Sequence, residues 1–117
     1  MIPRKYRFHR RNAVNYVHKA GQSVRGSAMS VRYVTNNKEH CRFAVVVSKK
    51  TAKSAVTRNR IRRRTFAAIQ PHLGRTASHS DVVIMVYDAS VVDMLFSNAS
   101  KELELLLQKA GIIAGDE

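Results

Sequence analysis

The chain has 117 residues, a length that sets one compact domain over 1–117 as the expectation. It carries 21 Lys and Arg against 8 Asp and Glu, a formal +13, and is 44% hydrophobic, too apolar for a disordered tail. No apolar run approaches the roughly 18 residues of a membrane span, and the single cysteine, Cys41, rules out an intrachain disulfide and suits a reducing, cytoplasmic setting.

In chain order, the basic start (Arg4, Lys5, Arg7, Arg10, Arg11) is not followed by an uninterrupted apolar stretch, so no secretion signal is expected. Residues 1–8 read as a basic tail. Asn12 is the expected N-cap of a short amphipathic helix carrying Ala13, Val14, Tyr16, Val17 and Ala20, with Gly21 as its stop. Residues 22–28 read as a small-residue connection. Met29–Thr35 alternates, with Met29, Val31, Tyr33 and Thr35 on one side and Ser30, Arg32 and Val34 on the other, which predicts a half-buried strand. Turn residues at 36–40 lead to a second strand over Arg42–Ser48, and the two strands are expected to pair as an antiparallel hairpin.

A helix follows from about Ser54 to Ile69, ended by Pro71 and Gly74. Its Ile61, Thr65, Ala68 and Ile69 share one narrow stripe. After a polar loop at Arg75–Ser80, Asp81–Tyr87 is an apolar run too short and too β-branched for a buried helix, so it reads as an interior strand. The last helix runs from about Ser97 to Ala110. Leu103, Leu106, Leu107 and Ala110 recur on it at i, i+3, i+4 and i+7, Gly111 stops it, and 112–117 read as a tail. The order is helix, strand, strand, helix, strand, helix.

The charge is unevenly placed. Residues 1–75 hold 19 of the 21 basic residues and one acid, Glu39, for a net +18, whereas 76–117 hold two lysines against seven acids. A charge kept only for solubility would be mixed over the surface. A segment of +18 repels itself, and a polyphosphate partner relieves that repulsion. Anionic membrane is the competing target, but no strongly apolar helix face coincides with the basic region. Nucleic acid is therefore the expected partner class.

The densest basic stretch places five arginines in the seven positions Arg58–Arg64, with Asn59 among them. Like charges at i,i+4 cost a helix only a few tenths of a kcal/mol each, so stability does not forbid the cluster. A merely solvated face would mix in acids, and this one has none. Arginine bonds phosphate through a planar fork and can stack on bases. Contact with RNA or DNA is expected from Arg58, Asn59, Arg60, Arg62, Arg63 and Arg64, with Lys49, Lys50 and Lys53 continuing the positive surface. Arg58 and Arg60 lie off the apolar stripe, so changing both to alanine is expected to weaken RNA binding and leave the fold intact.

Catalytic chemistry is sparse. His9, His18, His40, His72 and His79 do not combine with Cys41 or acids at metal-ligand spacings, and no phosphate-cradling glycine loop is present. Asp81, Asp88 and Asp93 could be imagined around Mg²⁺, but Asp81 and Asp88 bracket a strand of roughly 20 Å. Glu39 reads as a solvated turn residue. No catalytic or metal-binding side chain is expected.

Ser48-Lys49-Lys50, seven further residues and then Arg58-Asn59-Arg60-Ile61-Arg62-Arg63 resemble the signature of the bacterial ribonuclease P protein family. The first helix ending in Gly21, the strand Asp81–Val86 and the leucine-rich last helix extend the resemblance over about residues 9 to 111. It implies an α/β (α+β) fold, a small ribosomal-protein-like two-layer sandwich with a left-handed βαβ crossover, rare against the usual right-handed rule. It also implies an accessory role. The partner would be the catalytic RNA, which with Mg²⁺ hydrolyses the bond that releases the 5′ leader of precursor tRNA. The endoribonuclease activity would belong to the RNA, with no cofactor on the protein, no obligate protein partner and no membrane.

The same resemblance implies that the single-stranded leader binds a cleft between the first helix and the open sheet face. Counting back from Gly21, the family's two aromatic positions fall on Val14 and His18. His18 can stack on a base and Val14 can only pack, so the aromatic contribution, about 1–3 kcal/mol per base, is reduced. On the strands, Arg32, Val46 and Ser48 are the candidate leader contacts. Tyr33 and Phe43 fall on the apolar side and read as core, with a nucleotide platform as the alternative. Two other functions compete. A structural RNA-binding protein of ribosomal type explains charge and size without a role in cleavage, and a protein nuclease in its own right predicts cleavage by the protein alone.

Overall fold

The computed structural model describes residues 4–8, 11–36, 40–76, 79–88 and 96–113. Its elements are α1 (Arg11–Ala20), β1 (Gln22–Arg25), β2 (Met29–Thr35), β3 (Arg42–Val47), α2 (Ala55–Ile69), β4 (Ser80–Val86) and α3 (Phe96–Lys109), with 3-10 turns at Arg4–Tyr6 and Gln70–Arg75. Glu39, Asp93 and the C-terminal acids Asp116 and Glu117 lie outside the described residues.

The run Val82-Val83-Ile84 is fully buried, so both faces of β4 need cover and the strand must sit inside the sheet. The sheet order is β1-β2-β4-β3, with β4 antiparallel to β2 and parallel to β3. This corrects the expected hairpin: β2 and β3 do not pair, because β4 lies between them. Their connection spans two strand spacings, about 10 Å, a distance within the reach of the six residues between Thr35 and Arg42. The connection from β3 to β4 is then a parallel crossover made by α2. A second difference is β1, which forms where only a connection was expected. Its Gln22-Ser23-Val24-Arg25 has a single apolar residue, so its extended form comes from pairing with β2, Gln22 opposite Tyr33.

Alternation along the strands divides the side chains between two faces. On one, Met29 and Val31 of β2, Phe43, Val45 and Val47 of β3, and Val82, Ile84 and Val86 of β4 pack against α2 and α3. From α2 come Ile61, Thr65, Phe66, Ala68 and Ile69, the expected stripe with Phe66 added. Phe43 is buried here, and Tyr33 packs against this core with its hydroxyl donating to Gln22 Oε1. On the other face, Ala44 and Val83 bury against Val17 of α1 and Phe8, with Ala13, Val14, Val34, Val46 and Met85 only partly covered. Residues read as tails are part of this packing: Phe8, Ile112 and Ile113 are all buried. They are apolar, and their burial outweighs the cost of ordering the ends.

Local signals hold most helix ends. Ser54 caps α2 by accepting from Thr57 N–H. Gly111, with φ of 77°, ends α3: its N–H donates to the Gln108 carbonyl, and Ile112 N–H donates to that of Leu107. Helix α1 begins at Arg11, so Asn12 sits in its first turn rather than at the cap. Arg42 and Asp81 face each other across the parallel strands and form a two-pronged ion pair at 2.8 and 2.6 Å, which Asn36 joins at 2.8 Å. The hydrogen bond to Asp81 raises the basicity of Arg42 further.

Candidate nucleic-acid interface

The chain leaves β3 through a tight turn that is also the start of the basic surface. Thr51 and Ala52 N–H groups both donate to the Ser48 carbonyl, and Thr51 N–H lies 3.3 Å from Ser48 Oγ. Thr51 Oγ1 donates to the Val86 carbonyl at the end of β4. This closed turn leaves Lys49, Lys50 and Lys53 exposed just before α2. On α2, Asn59, Arg60 and Arg63 are exposed, while Arg58, Arg62 and Arg64 are half-buried along the flanks of the stripe. The arrangement is one acid-free surface made by a turn and the helix it feeds.

Not every arginine there is uncommitted. Arg58 Nη1 donates to the carbonyls of Ala52 and Lys53 at 2.9 and 2.8 Å, so it braces the lysine turn against the helix. The expectation that Arg58→Ala leaves the fold untouched is therefore corrected: that change leaves two carbonyls without their donor. Arg62 donates to Asn59 Oδ1, one turn back on the same helix. Arg60 and Arg63 are the fully exposed pair.

On the opposite face of the sheet, the structure brings together four of the five candidate leader contacts. Val14 and His18 of α1, Arg32 of β2 and Val46 of β3 are all partly covered and share the α1 side of the sheet. Burial, and then the neighbouring Arg32 guanidinium, hold the His18 imidazole below the ordinary histidine range. Ser48 is exposed at the end of β3, but its hydroxyl is engaged with Thr51 Oγ1 at 3.2 Å. It belongs to the turn that joins the cleft side to the lysines. Tyr16, 60% exposed, lines with Asn12, Asn15, His18 and Lys19 a shallow depression of about 440 Å³ on α1.

The sequence reading missed a third contributor. The segment Arg4–Phe8 lies along the outer edge of β3, where Phe8 N–H donates to the Phe43 carbonyl at 3.0 Å and Arg7 bridges to Phe43. His40 Nε2 is 2.7 Å from the Lys5 carbonyl, Tyr6 packs edge-on against the His40 ring, and Arg42 lies over Phe8. Arg4 and Lys5 are exposed beside that edge. The signal available was the alternation of Tyr6 and Phe8 with basic residues. Among the described residues, no group of three His, Cys, Asp or Glu side chains could hold a metal ion, and no helix is long and apolar enough to cross a membrane.

Comparison with known proteins gives one consistent family. The family model described as Ribonuclease P matches residues 2–111. The ribonuclease P protein component of Synechococcus elongatus is 31% identical over 118 residues, covering 97% of each chain. That of a Pseudanabaena species is 29% identical over 117 residues, covering 99% of this chain and all of its own. The structure of the Staphylococcus aureus RNase P protein superposes with a TM-score of 0.79 at 26% identity, covering 92% of this chain and 97% of that one. The RNase P protein of Thermotoga maritima, at 21% identity and a TM-score of 0.78, covers 88% of this chain and 96% of its own and shares the fold.

Proposed function

The chain belongs to the ribonuclease P protein family, and from that premise we propose that it is the protein subunit of a ribonucleoprotein that removes the 5′ leader of precursor tRNA. The observation that carries this reading is the acid-free surface formed by Lys49, Lys50 and Lys53 with Asn59, Arg60 and Arg63. Phosphates of the catalytic RNA would lie against it, drawn by charge and by the forked geometry of arginine. Arg58 acts on both sides of this contact, positive in its own right and holding the lysine turn in place.

The α1 side of the sheet is the leader site in this reading. A half-covered apolar floor of Val14 and Val46 receives bases, and the His18 ring stacks on one of them. The basic edge carrying Arg4 and Lys5 and the turn at Ser48–Lys50 flank that floor. Neutralising phosphates where RNA and substrate meet lowers their repulsion, so substrate binds more tightly and less Mg²⁺ is needed. The Mg²⁺ ions of the reaction would sit on RNA phosphates, and the protein would contribute position and charge rather than a reacting group.

Cleavage of a precursor tRNA at low Mg²⁺ tests this directly, comparing the protein alone, a bacterial ribonuclease P RNA alone and the two together. Efficient cutting at the mature 5′ end only by the mixture is the expected result. Cutting by the protein alone would make it a nuclease in its own right. A mixture no better than the RNA would leave a structural RNA-binding role.

A further inference from the structure

We infer that Arg32 is a positioning residue of the leader cleft: its guanidinium ties the C-terminal turn of α1 to β2 and so sets the cleft's width, rather than contacting the leader itself. The inference rests on the leader-site reading given above and deepens it.

The last four carbonyls of a helix have no partner within it. At the end of α1, Val17 O accepts from Gly21 N–H at 2.8 Å, and His18 O accepts from Arg32 Nη2. A cation placed on the final carbonyls is also favoured by the helix dipole. The backbone itself comes close to β2 at Gly21, three residues beyond His18, opposite Tyr33, the residue after Arg32. A Cβ at Gly21 would lie 2.7 Å from the Tyr33 carbonyl oxygen and 2.5 Å from that of Val17, so only glycine lets α1 come this close to β2. Arg32 and Tyr33 are neighbours on β2, and His18 and Gly21 close the same helical turn. A side-chain hydrogen bond and a close backbone approach therefore pin this end of α1, while Val14, one turn back, belongs to the half-covered floor.

The geometry also argues against Arg32 as a direct phosphate contact. Side-on pairing with phosphate uses Nε and one terminal nitrogen together. In Arg32, Nη2 is committed to the His18 carbonyl, and Nε is buried with no hydrogen-bond partner among the described residues. The bidentate edge is thus turned inward. Its charge still acts, through His18. On the face of the sheet that α1 covers, Arg32 is the charged group from β2, Asp81 of β4 is ion-paired with Arg42 of β3, Val83 and Met85 are uncharged, and Lys19 is the cation beside His18 on α1 itself. The nearby guanidinium adds to burial in disfavouring the imidazolium.

The test compares wild type, Arg32→Gln and Arg32→Lys, each as free protein and assembled with a bacterial ribonuclease P RNA. Three quantities are read: the affinity for precursor tRNA relative to leaderless tRNA, its dependence on salt, and the titration of the His18 ring by NMR in the free protein. Arg32→Gln is expected to lose about tenfold of the leader-dependent affinity, to leave the salt slope unchanged and to raise the His18 titration midpoint. Arg32→Lys is expected to keep the low His18 midpoint and still lose leader affinity, because a point charge does not replace the fork. A salt slope shallower by about one with His18 unmoved would overturn the inference and make Arg32 a phosphate contact. Wild-type enzyme that does not distinguish precursor from leaderless tRNA would instead overturn the leader-site reading, and this inference with it. Loss of cooperative thermal unfolding in Arg32→Lys would also overturn it, assigning the residue to global stability.

Discussion

The two faces of the sheet are built from the same three strands and are used differently. Under α2 and α3, Val45, Ile84 and Val31 are closed off from water by Ile61, Leu103 and Leu107, and the buried Thr65 hydroxyl is satisfied within its own helix by donating to the Ile61 carbonyl. Under α1, one helix of ten residues covers a comparable width of sheet, so Val34, Val46 and Met85 remain half open. Adjacent residues of one strand therefore have different duties. Apolar surface left partly wet is a cost to stability, and it is retained here on the side where the tethered α1 and the basic edge of β3 converge. One face holds the molecule together, and in the proposed function the other receives the leader.

The largest test of the contrast is a charge on the closed face. Ile61 is fully buried, so Ile61→Asp places an unpaired carboxylate in the core and is expected to cost on the order of 5 kcal/mol, abolishing cooperative thermal unfolding. Next is the exposed pair on the same helix. Arg60→Ala with Arg63→Ala is expected to weaken binding to the catalytic RNA by about 10- to 100-fold and to make the salt slope shallower by about two, with thermal stability unchanged. Both halves of that outcome can be read by filter binding across a salt series and by circular dichroism.

The sharpest comparison uses neighbours. Val45 faces the closed core and Val46 the open side, so Val45→Ala is expected to cost about 2 kcal/mol in denaturant unfolding and Val46→Ala about half that or less. Leader affinity should move the opposite way, falling for Val46→Ala only. Equal stability losses would mean that the α1 side is as closed as the other. The smallest effect is one of pH. His18 titrates below its unfolded value, so the unfolded chain binds the proton more readily. Stability is then full above the unfolded histidine range and declines as pH falls through the folded value. His18→Gln should remove that portion of the acid sensitivity.

Much of this was legible in the chain itself, for identifiable reasons. The stripe of α2, the burial of β4 and the Gly111 stop are local patterns, each written within one helical or strand repeat. The motif from Ser48 to Arg63 was legible for the same reason, because a turn and the helix it feeds lie close in sequence. The pairing of β2 with β4 was not, since alternation shows that a strand has two faces and says nothing about its neighbour. The strand β1 was hidden because its residues carry no pattern of their own. The roles of Arg32 and Arg58 were hidden as well: a basic side chain reads as a free cation until its acceptor carbonyl is known.

The amino-acid sequence by itself therefore determined the element types other than β1, the basic half and the family, all properties of local pattern and composition. Only the tertiary structure decided which strand lies between which, that Phe8, Ile112 and Ile113 close the core, and which arginines hold the backbone rather than face outward. The physical reason is that hydrogen-bond partners and burial are relations between residues distant in the chain, and a helix or strand takes its neighbours only when the whole fold has formed.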